Sequence, residues 1–152
     1  MLRWVDTSGS SPWSTGSAEV FLDQRRSTGT MTVAVRCRFG SQPEELAMLD
    51  TGAHWTLIGP EHMELLKDEL GEGLGTLSMS TRIGTFPGTL HRLPILLLAN
   101  EGTDIMVDAT CLALEGWPGP SILGFSGFLE RVRFALEPGD VRTPARIHFG
   151  PG

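Results

Sequence analysis

An alternation of apolar and polar side chains constrains the fold of this chain more than any other feature. It runs through residues 31–39 and again through residues 105–113, where every second residue is apolar. Successive side chains of a strand point to opposite faces of a sheet, so a period of two is typical of a half-buried strand. Segments that contain Gly and Pro follow both stretches and end them. The pattern therefore predicts a mainly β domain.

Further apolar segments also favour strands, and at least seven strands are predicted in all. These further segments span residues 46–49, 55–58, 77–83, 89–98, 121–124, 133–136 and 146–149. One helix is predicted after the second of them, because Gly59-Pro60 is typical of a helix start, Glu61 places a negative charge in the first turn, and Gly71 ends the pattern. The sequence thus predicts a mainly β domain with one clear helix.

The amino-terminal part differs in composition from the rest of the chain. Residues 1–29 are dominated by Ser, Thr and Gly, with one short apolar break at residues 20–22. This composition predicts a flexible arm, or at most an edge strand. Residues 30–152 are predicted to form a single ordered domain, since a chain of 152 residues is long enough to bury an ordinary hydrophobic core.

The charge balance excludes a nucleic-acid partner from the expected functions. The formal net charge is −6, and the arginines are scattered or in isolated pairs, whereas nucleic acid is met by clustered Lys and Arg. The longest apolar run, residues 93–99, contains Pro94 and is far shorter than the roughly 20 residues that span a bilayer. No signal-like apolar segment follows Met1. We expect a cytoplasmic protein without a membrane partner, unless the chain is a piece of a larger one.

The cysteines and histidines show no metal-ligand spacing. Cys37 and Cys111 lie in separate apolar segments, which favours two free or buried thiols and a reducing compartment. The histidines are interpreted as surface or hydrogen-bonded core residues, and no metal or organic cofactor is expected. They are His54, His62, His91 and His148. Ser126 is not interpreted as a nucleophile, because its flanking glycines are out of register for a nucleophile elbow.

The strongest chemical candidate is Asp50, which opens an Asp-Thr-Gly triplet between two apolar strands. The segment Leu46-Ala-Met-Leu49 leads directly into it, and the strand predicted at residues 55–58 follows. This context places the carboxylate on a loop at the end of a buried strand. The structural alternative is a turn aspartate whose carboxylate caps its own loop, as is common in Asp-x-Gly sequences.

A second motif, Ile122-Leu123-Gly124, follows the triplet after about seventy residues. Together the two motifs resemble those of the retropepsin-like aspartic peptidases, single-domain relatives of pepsin. The resemblance implies a closed or partly open antiparallel β-barrel with one helix after the active-site strand. It also implies that Asp50 is catalytic, that Thr51 hydrogen-bonds across a dimer axis, and that Gly52 lets the backbone approach the substrate. Ala53 and Ile122 are expected to contact the substrate.

The predicted hairpin carries a further implication of the resemblance. In such peptidases a hairpin tip closes over the peptide as a flap, and chain order maps that tip to Gly84, Thr85, Phe86, Pro87 and Gly88. An ordinary hairpin turn is the alternative. The sequence departs from the retroviral pattern at Phe125, where those enzymes usually have Arg, and at the bulky pair His54-Trp55.

Peptide hydrolysis by carboxylates requires two of them, one as base toward water and one as acid toward the carbonyl oxygen. This chain has a single Asp-Thr-Gly triplet and no Asp-Ser-Gly. A two-fold homodimer would bring two copies of Asp50 together. The sequence therefore predicts a homodimeric aspartic endopeptidase that acts on a peptide or protein substrate. The alternative is a dimerisation or peptide-binding module that keeps the fold and does not cleave.

Overall fold

The computed structural model describes residues 3–6, 9–25 and 29–152, and in these residues the fold is mainly β with one α-helix. The strands are β1 (Arg3–Asp6), β2 (Gly9–Pro12), β3 (Gly16–Glu19), β4 (Phe21–Arg25), β5 (Thr30–Phe39), β6 (Glu45–Leu49), β7 (Thr56–Leu57), β8 (Gly75–Thr81), β9 (Gly84–Leu97), β10 (Glu101–Gly102), β11 (Ile105–Leu114), β12 (Ile122–Leu123), β13 (Val132–Glu137) and β14 (Arg146–Pro151). The helix α1 spans Pro60–Leu66, and a 3-10 turn spans Leu129–Arg131. The mainly β prediction is confirmed.

Three groups of strands build the fold. β1 pairs with β2, a four-stranded sheet has the order β10-β3-β14-β13, and an eight-stranded sheet has the order β4-β5-β6-β12-β7-β11-β9-β8. β5 also pairs with β9, so the larger sheet curves back on itself. β12 runs parallel to β6 and lies between β6 and β7. The Ile122-Leu123 segment is thus inserted between the two strands that flank Asp50.

The long alternating segments supply the main core. Val35, Cys37 and Phe39 on β5 are completely buried, and the inward-facing residues of β9 and β11 pack against them. The alternation of residues 105–113 predicted the buried face of β11 correctly from Val107 onward. Met31 differs: it pairs with the edge strand β4 but lies beyond the end of the pairing with β6, and it is 61% exposed. A strand end beyond its neighbours' cover keeps its pleat but loses its burial.

The predicted arm is wrong for part of residues 1–29. β3 lies between β10 and β14, and Gly16, Ser17 and Ala18 on it are buried. A Cβ at Gly16 would collide with Thr103 and the Phe149 ring, so this position needs glycine. A strand made of small residues carries no apolar periodicity, which is why the sequence did not indicate it. Among the described residues β4 pairs only with β5, and it is the edge strand that the alternative predicted. Residues 1–2, 7–8 and 26–28 of the predicted arm lie outside the described residues.

The hairpin exists, but the predicted position of its tip is wrong. β8 and β9 are joined by Arg82 and Ile83, with Thr81 paired to Gly84, so residues 84–88 form the start of β9. The Thr81 hydroxyl donates to the Gly84 carbonyl and accepts from the Ile83 N–H, which closes the turn. A Cβ at Gly88 would collide with residues of β11, so this glycine permits close strand packing and does not mark a turn.

The predicted helix is confirmed, with Pro in its first turn and Glu61 beside it. It ends at Leu66, before Gly71, and the chain continues in turns in which the N–H groups of Glu69 and Leu70 both donate to the Leu66 carbonyl. Gly71, with a φ of 61°, then reverses the chain toward β8. None of the helices in the described segments is long and apolar enough to cross a membrane.

Candidate active site

Asp50 follows the last residue of β6 and is half-buried at the end of that strand. Its N–H donates to the carbonyl oxygen of Leu123 at 3.2 Å, which continues the parallel pairing of Leu49 with Leu123 by one step. The backbone at Asp50 is therefore fixed by β12 even though the residue has left the strand. This fixed position is a requirement for a group that acts in chemistry.

The two carboxylate oxygens of Asp50 have different surroundings. Oδ1 accepts hydrogen bonds from the Gly52 N–H at 2.9 Å and from the Ala53 N–H at 3.2 Å. Among the described residues Oδ2 accepts no hydrogen bond, and it is not enclosed by protein. The loop-capping geometry considered as an alternative is thus present for one oxygen. The same geometry orients the carboxylate and leaves its second oxygen available to a solvent molecule or another chain.

The loop after Asp50 is fastened to the segment after Leu123. The carbonyls of Ala53 and His54 accept from the N–H groups of Phe125 and Ser126, both at 2.8 Å. The buried Thr56 hydroxyl accepts from the Gly124 N–H at 3.1 Å. These bonds hold the two sequence motifs side by side.

Gly124 is required by the closeness of that packing. A Cβ built on it would lie within 3.0 Å of three backbone atoms: the Trp55 carbonyl carbon and oxygen and the Thr56 nitrogen. Backbone atoms cannot rotate away as a side chain can. The glycine of the second motif is therefore a packing glycine that sets the distance between the loop and β12.

Thr51 and Gly52 form the exposed tip of the loop. A Cβ at Gly52 would meet only the Asp50 Oδ1 atom, at 3.2 Å, so a side chain here would crowd the carboxylate and nothing else. The Thr51 hydroxyl makes no hydrogen bond within the described part of the chain. Both residues are available to a second chain or a ligand.

One apolar cluster contains residues of both this loop and the hairpin. It contains five buried residues, with seven more packed against them: Leu57, Leu112, Leu114, Trp117 and Ile122, then Met48, Ala53, Trp55, Leu77, Met79, Phe86 and Leu90. Three of the predicted substrate contacts, Ala53, Phe86 and Ile122, thus meet in one cluster. Gly84, Thr85 and Pro87 are exposed on the hairpin, outside this cluster.

The sequence context of Trp117, between Gly116 and Pro118, is typical of a turn anchor, and the structure also places this residue in the apolar cluster. Its ring meets Phe86 edge to face, with centroids 5.6 Å apart and planes at 90°. Its Nε1–H donates to the Pro120 carbonyl at 3.0 Å, which does anchor the turn. The Phe86 contact joins the hairpin to the turn before β12, a long-range pairing that no local pattern signals.

The positions that depart from the retroviral pattern lie beside the loop. Phe125 is 50% exposed, and the His54 ring stacks edge to face on Trp55 with centroids 4.6 Å apart. Position 125, where the resemblance predicts an arginine, therefore carries an exposed aromatic ring. This surface is apolar where the family pattern would be charged.

The remaining histidines and both cysteines have structural surroundings. His91 Nδ1 lies 2.9 Å from the Leu70 carbonyl, and His148 Nε2 lies 2.6 Å from a Glu137 carboxylate oxygen. In the described part of the chain, no three His, Cys, Asp or Glu side chains are grouped as metal ligands would be. Cys37 and Cys111 are free and buried, and burial raises the pKa of both thiols, that of Cys111 to about 12.

The fold is similar to that of a solved aspartic protease. A retropepsin-like aspartic protease from Rickettsia conorii matches with a TM-score of 0.55 and 21% sequence identity, over 92% of this chain and 96% of that chain. No protein-family model matches the sequence. No curated protein matches it either. At 21% identity the structural likeness shows a common fold.

Proposed function

We propose that this protein is an aspartic endopeptidase of the retropepsin-like type, with Asp50 as its catalytic residue. The observation that carries the proposal is the asymmetry of the Asp50 carboxylate: backbone N–H groups hold Oδ1, while Oδ2 is open. The fold shared with an aspartic protease supports it. The pairing of β5 with β9 supports the further proposal that the eight-stranded sheet is a barrel of this type.

The catalytic unit is a homodimer, since one chain offers one Asp-Thr-Gly triplet. A two-fold axis near the exposed tip at Thr51 and Gly52 brings two Asp50 carboxylates together. Two carboxylates about 4 Å apart repel by roughly 4 kcal/mol at an effective dielectric constant near 20. This energy is about three pKa units, so the pair retains one shared proton near neutral pH.

The shared proton assigns the two roles. The ionised carboxylate takes a proton from a water molecule, whose oxygen attacks the peptide carbonyl carbon, and the protonated carboxyl donates to the carbonyl oxygen. The amine then leaves with a proton as the C–N bond breaks. This division of roles between two carboxylates is a known pattern of aspartic proteases, and it predicts an acid to near-neutral optimum.

The apolar cluster supplies the substrate site. Ala53 and Ile122 flank Asp50, and Phe86 on the hairpin faces the same cluster. The corrected hairpin tip, Arg82 and Ile83, carries an Ile side chain that is 64% exposed. We place the flap there, because an exposed apolar tip can cover a bound peptide, with residues 84–88 as its descending arm.

A non-catalytic peptide-binding or dimerisation module is the second candidate. The exposed Phe125 ring favours it, because an apolar residue beside the loop suits a binding surface as well as an active site. Two carboxylates at a dimer axis would weaken such a module, which favours the enzyme. The buried free thiols suit a reducing compartment, and we place the protein in the cytoplasm.

The two candidates are separated by an activity measurement on Asp50→Asn, a substitution that keeps the size of the side chain. Wild type should cleave a denatured protein substrate between about pH 3 and about pH 7, and Asp50→Asn should lose the cleavage. Asp68→Asn, which changes an exposed carboxylate on another surface, is the matched control and should retain it. Equal cleavage by wild type and Asp50→Asn would refute the proposal that Asp50 is the catalytic residue of a peptidase.

A further inference from the structure

The ends of three strands lie at the same edge of the eight-stranded sheet. β6 ends there, directly before Asp50, and β5 begins there, because Val33 is paired with Leu49. β12 ends there as well, because it runs parallel to β6 and its Leu123 is paired with Leu49. This edge is called the Asp50 rim, and it consists of Met31, residues 50–55 and residues 124–126.

Two large apolar side chains of the Asp50 rim, Met31 and Phe125, are at least half exposed. Continuing the antiparallel register of β5 with β6 by two residues places Met31 beside Thr51. Phe125 follows β12, the strand on the other side of β6, and its N–H donates to the Ala53 carbonyl at 2.8 Å. The Asp-Thr-Gly loop therefore has an exposed apolar residue on each side.

The apolar surface continues from Met31 into a groove of about 330 Å³ that residues of both larger sheets line. Its two charged lining residues have partners elsewhere: Glu137 Oε2 lies 2.6 Å from His148 Nε2, and Arg146 Nη1 lies 2.9 Å from Glu101 Oε1. The groove thus presents mainly apolar surface. The apolar side chains that line it include Leu22, Met31, Val33, Leu136, Pro138 and Ala145.

The size of a stable dimer interface determines how much of this surface a second chain covers. A specific interface takes about 800 Å² from each partner, which corresponds to a disc of about 16 Å radius. The proposed reaction requires the two-fold axis between two Asp50 carboxylates. Met31 lies within about 10 Å of Asp50 by the spacings of a sheet, and Phe125 is bonded to Ala53, whose N–H donates to Asp50 Oδ1. Both side chains therefore fall inside the area that the second chain covers.

The chemistry of the Asp50 rim suits contact with a protein surface. Aromatic residues and Met are enriched at protein interfaces, and the centres of interfaces are depleted of charge. Two chains of net charge −6 repel each other, and two Asp50 carboxylates at the axis add to this repulsion. Burial of the apolar rim and groove offsets the repulsion, and exposed apolar patches mark interaction sites.

We propose that the Asp50 rim is the interface between two copies of this chain, and that Met31 and Phe125 of each copy are its apolar anchors. The occupant is a second copy because, on the function proposed above, only a second copy brings the second Asp50 carboxylate. This interface thus rests on the proposed function. It specifies which surface completes the site.

Sedimentation equilibrium of the full chain tests the two anchors. The measurements are made on Asp50→Asn, which prevents self-cleavage during the run. In this chain Phe125→Ala and Met31→Ala should each raise the dissociation constant of the dimer at least about tenfold. Leu65→Ala is the matched control, because Leu65 is similarly exposed and its carbonyl lies 3.4 Å from Gln42 Nε2, in the turn at the opposite end of β6. It should leave the dissociation constant unchanged.

Methionine oxidation by hydrogen peroxide tests the interface without a substitution in it. Met31 and Met106 are 61% and 60% exposed in the single chain, so they form a matched pair. Met106 pairs with Leu96, which pairs with Arg38 at the end of β5 remote from Met31. Raising the protein concentration should slow sulfoxide formation at Met31 severalfold and leave the rate at Met106 unchanged, as read by peptide mass measurement.

Three results would overturn the proposal: a chain that stays monomeric up to millimolar concentration, an unchanged dissociation constant for Phe125→Ala or Met31→Ala, or equal protection of Met31 and Met106. If a variant does not fold, the oxidation ratio of Met31 to Met106 decides alone. Cleavage by wild type combined with any of these results would remove the interface and leave the peptidase. Weakened dimers of both variants, with no cleavage by wild type, would keep the interface and remove the peptidase.

Discussion

The substitution Gly124→Ala tests how tightly the two motifs are packed. A Cβ at this position would lie within 3.0 Å of three backbone atoms of Trp55 and Thr56, whereas carbon atoms in ordinary contact are about 3.5–4.0 Å apart. The strands must therefore separate. Separation breaks the bond from Gly124 to Thr56 and the two bonds that Phe125 and Ser126 donate to the loop.

The magnitude follows from these losses. Three hydrogen bonds at about 1 kcal/mol each give about 3 kcal/mol, and overpacking strain adds about 1–3 kcal/mol. We expect the free energy of unfolding to fall by about 4 kcal/mol or more, a large part of the 5–15 kcal/mol typical of a domain. With a urea dependence of about 2 kcal/mol per molar, the midpoint of urea unfolding should fall by about 2 M.

Gly75→Ala is the matched control, because the residue is exposed and a Cβ added to it would meet no atom within 4 Å. It should change the urea midpoint little, since added Ala at a compatible position is neutral or slightly stabilising. Equilibrium urea unfolding of both variants decides the matter. A loss below about 1 kcal/mol for Gly124→Ala would show that the loop and β12 are not packed as described.

Three further predictions address the thiols, the loop and the hairpin. Burial keeps the thiols of Cys37 and Cys111 protonated in the native state, whereas unfolded thiols lose their protons above about pH 8.5, so the free energy of unfolding should fall by up to about 1.4 kcal/mol per thiol and pH unit above that value. Because the chain has no tyrosine and one lysine, Cys37→Ala should visibly flatten the plot of this free energy against pH, measured in urea titrations at several pH values. An unchanged slope of that plot would contradict the prediction. Thr56→Val leaves the buried Gly124 N–H unpaired and should lower the free energy of unfolding, measured by heat or urea, by about 1–3 kcal/mol. Thr56→Ser, which keeps the hydroxyl, should lower it by less. Equal stability of Thr56→Val and wild type would refute the hydrogen bond from Gly124 to Thr56. Phe86→Ala removes the contact with Trp117 and should raise the KM for apolar substrates severalfold, with a smaller change in kcat. The control Met106→Ala, which changes an exposed residue on β11, should leave both constants unchanged. An unaltered KM for Phe86→Ala would exclude Phe86 from the substrate site.

The sequence predicted those elements whose burial follows a regular period. β5 and β11 were recognised because each carries its alternation over enough residues to outweigh local exceptions, whereas α1 was recognised from its start and stop signals. β3 was missed because its buried residues, Gly16, Ser17 and Ala18, are small and carry no apolar signal; at Gly16 a Cβ would collide with the Phe149 ring.

At the candidate site, too, the sequence predicted the features that follow a local pattern and missed those that depend on contacts between distant segments. The position of Asp50 between two strands was evident from the flanking apolar segments, and β6 and β12 indeed hold its backbone. The hairpin tip was misplaced because Gly84 and Gly88 were both interpreted as turn residues, whereas Gly88 is required by the close approach of β11. The position of Trp117 depends on a contact with Phe86, in a distant segment, which composition and spacing do not encode.

The central claim is stoichiometric: one catalytic carboxylate per chain, and therefore no site without a second chain. Mixing wild type with Asp50→Asn at constant total protein, after subunit exchange, tests it most directly. Mixed dimers hold one Asp50 carboxylate and cannot share a proton between two, so they should be inactive. Activity should then fall as the square of the wild-type fraction, and an equal mixture should retain about one quarter of the wild-type rate. Retention of about one half, the value for chains that act independently, would contradict the paired-carboxylate site.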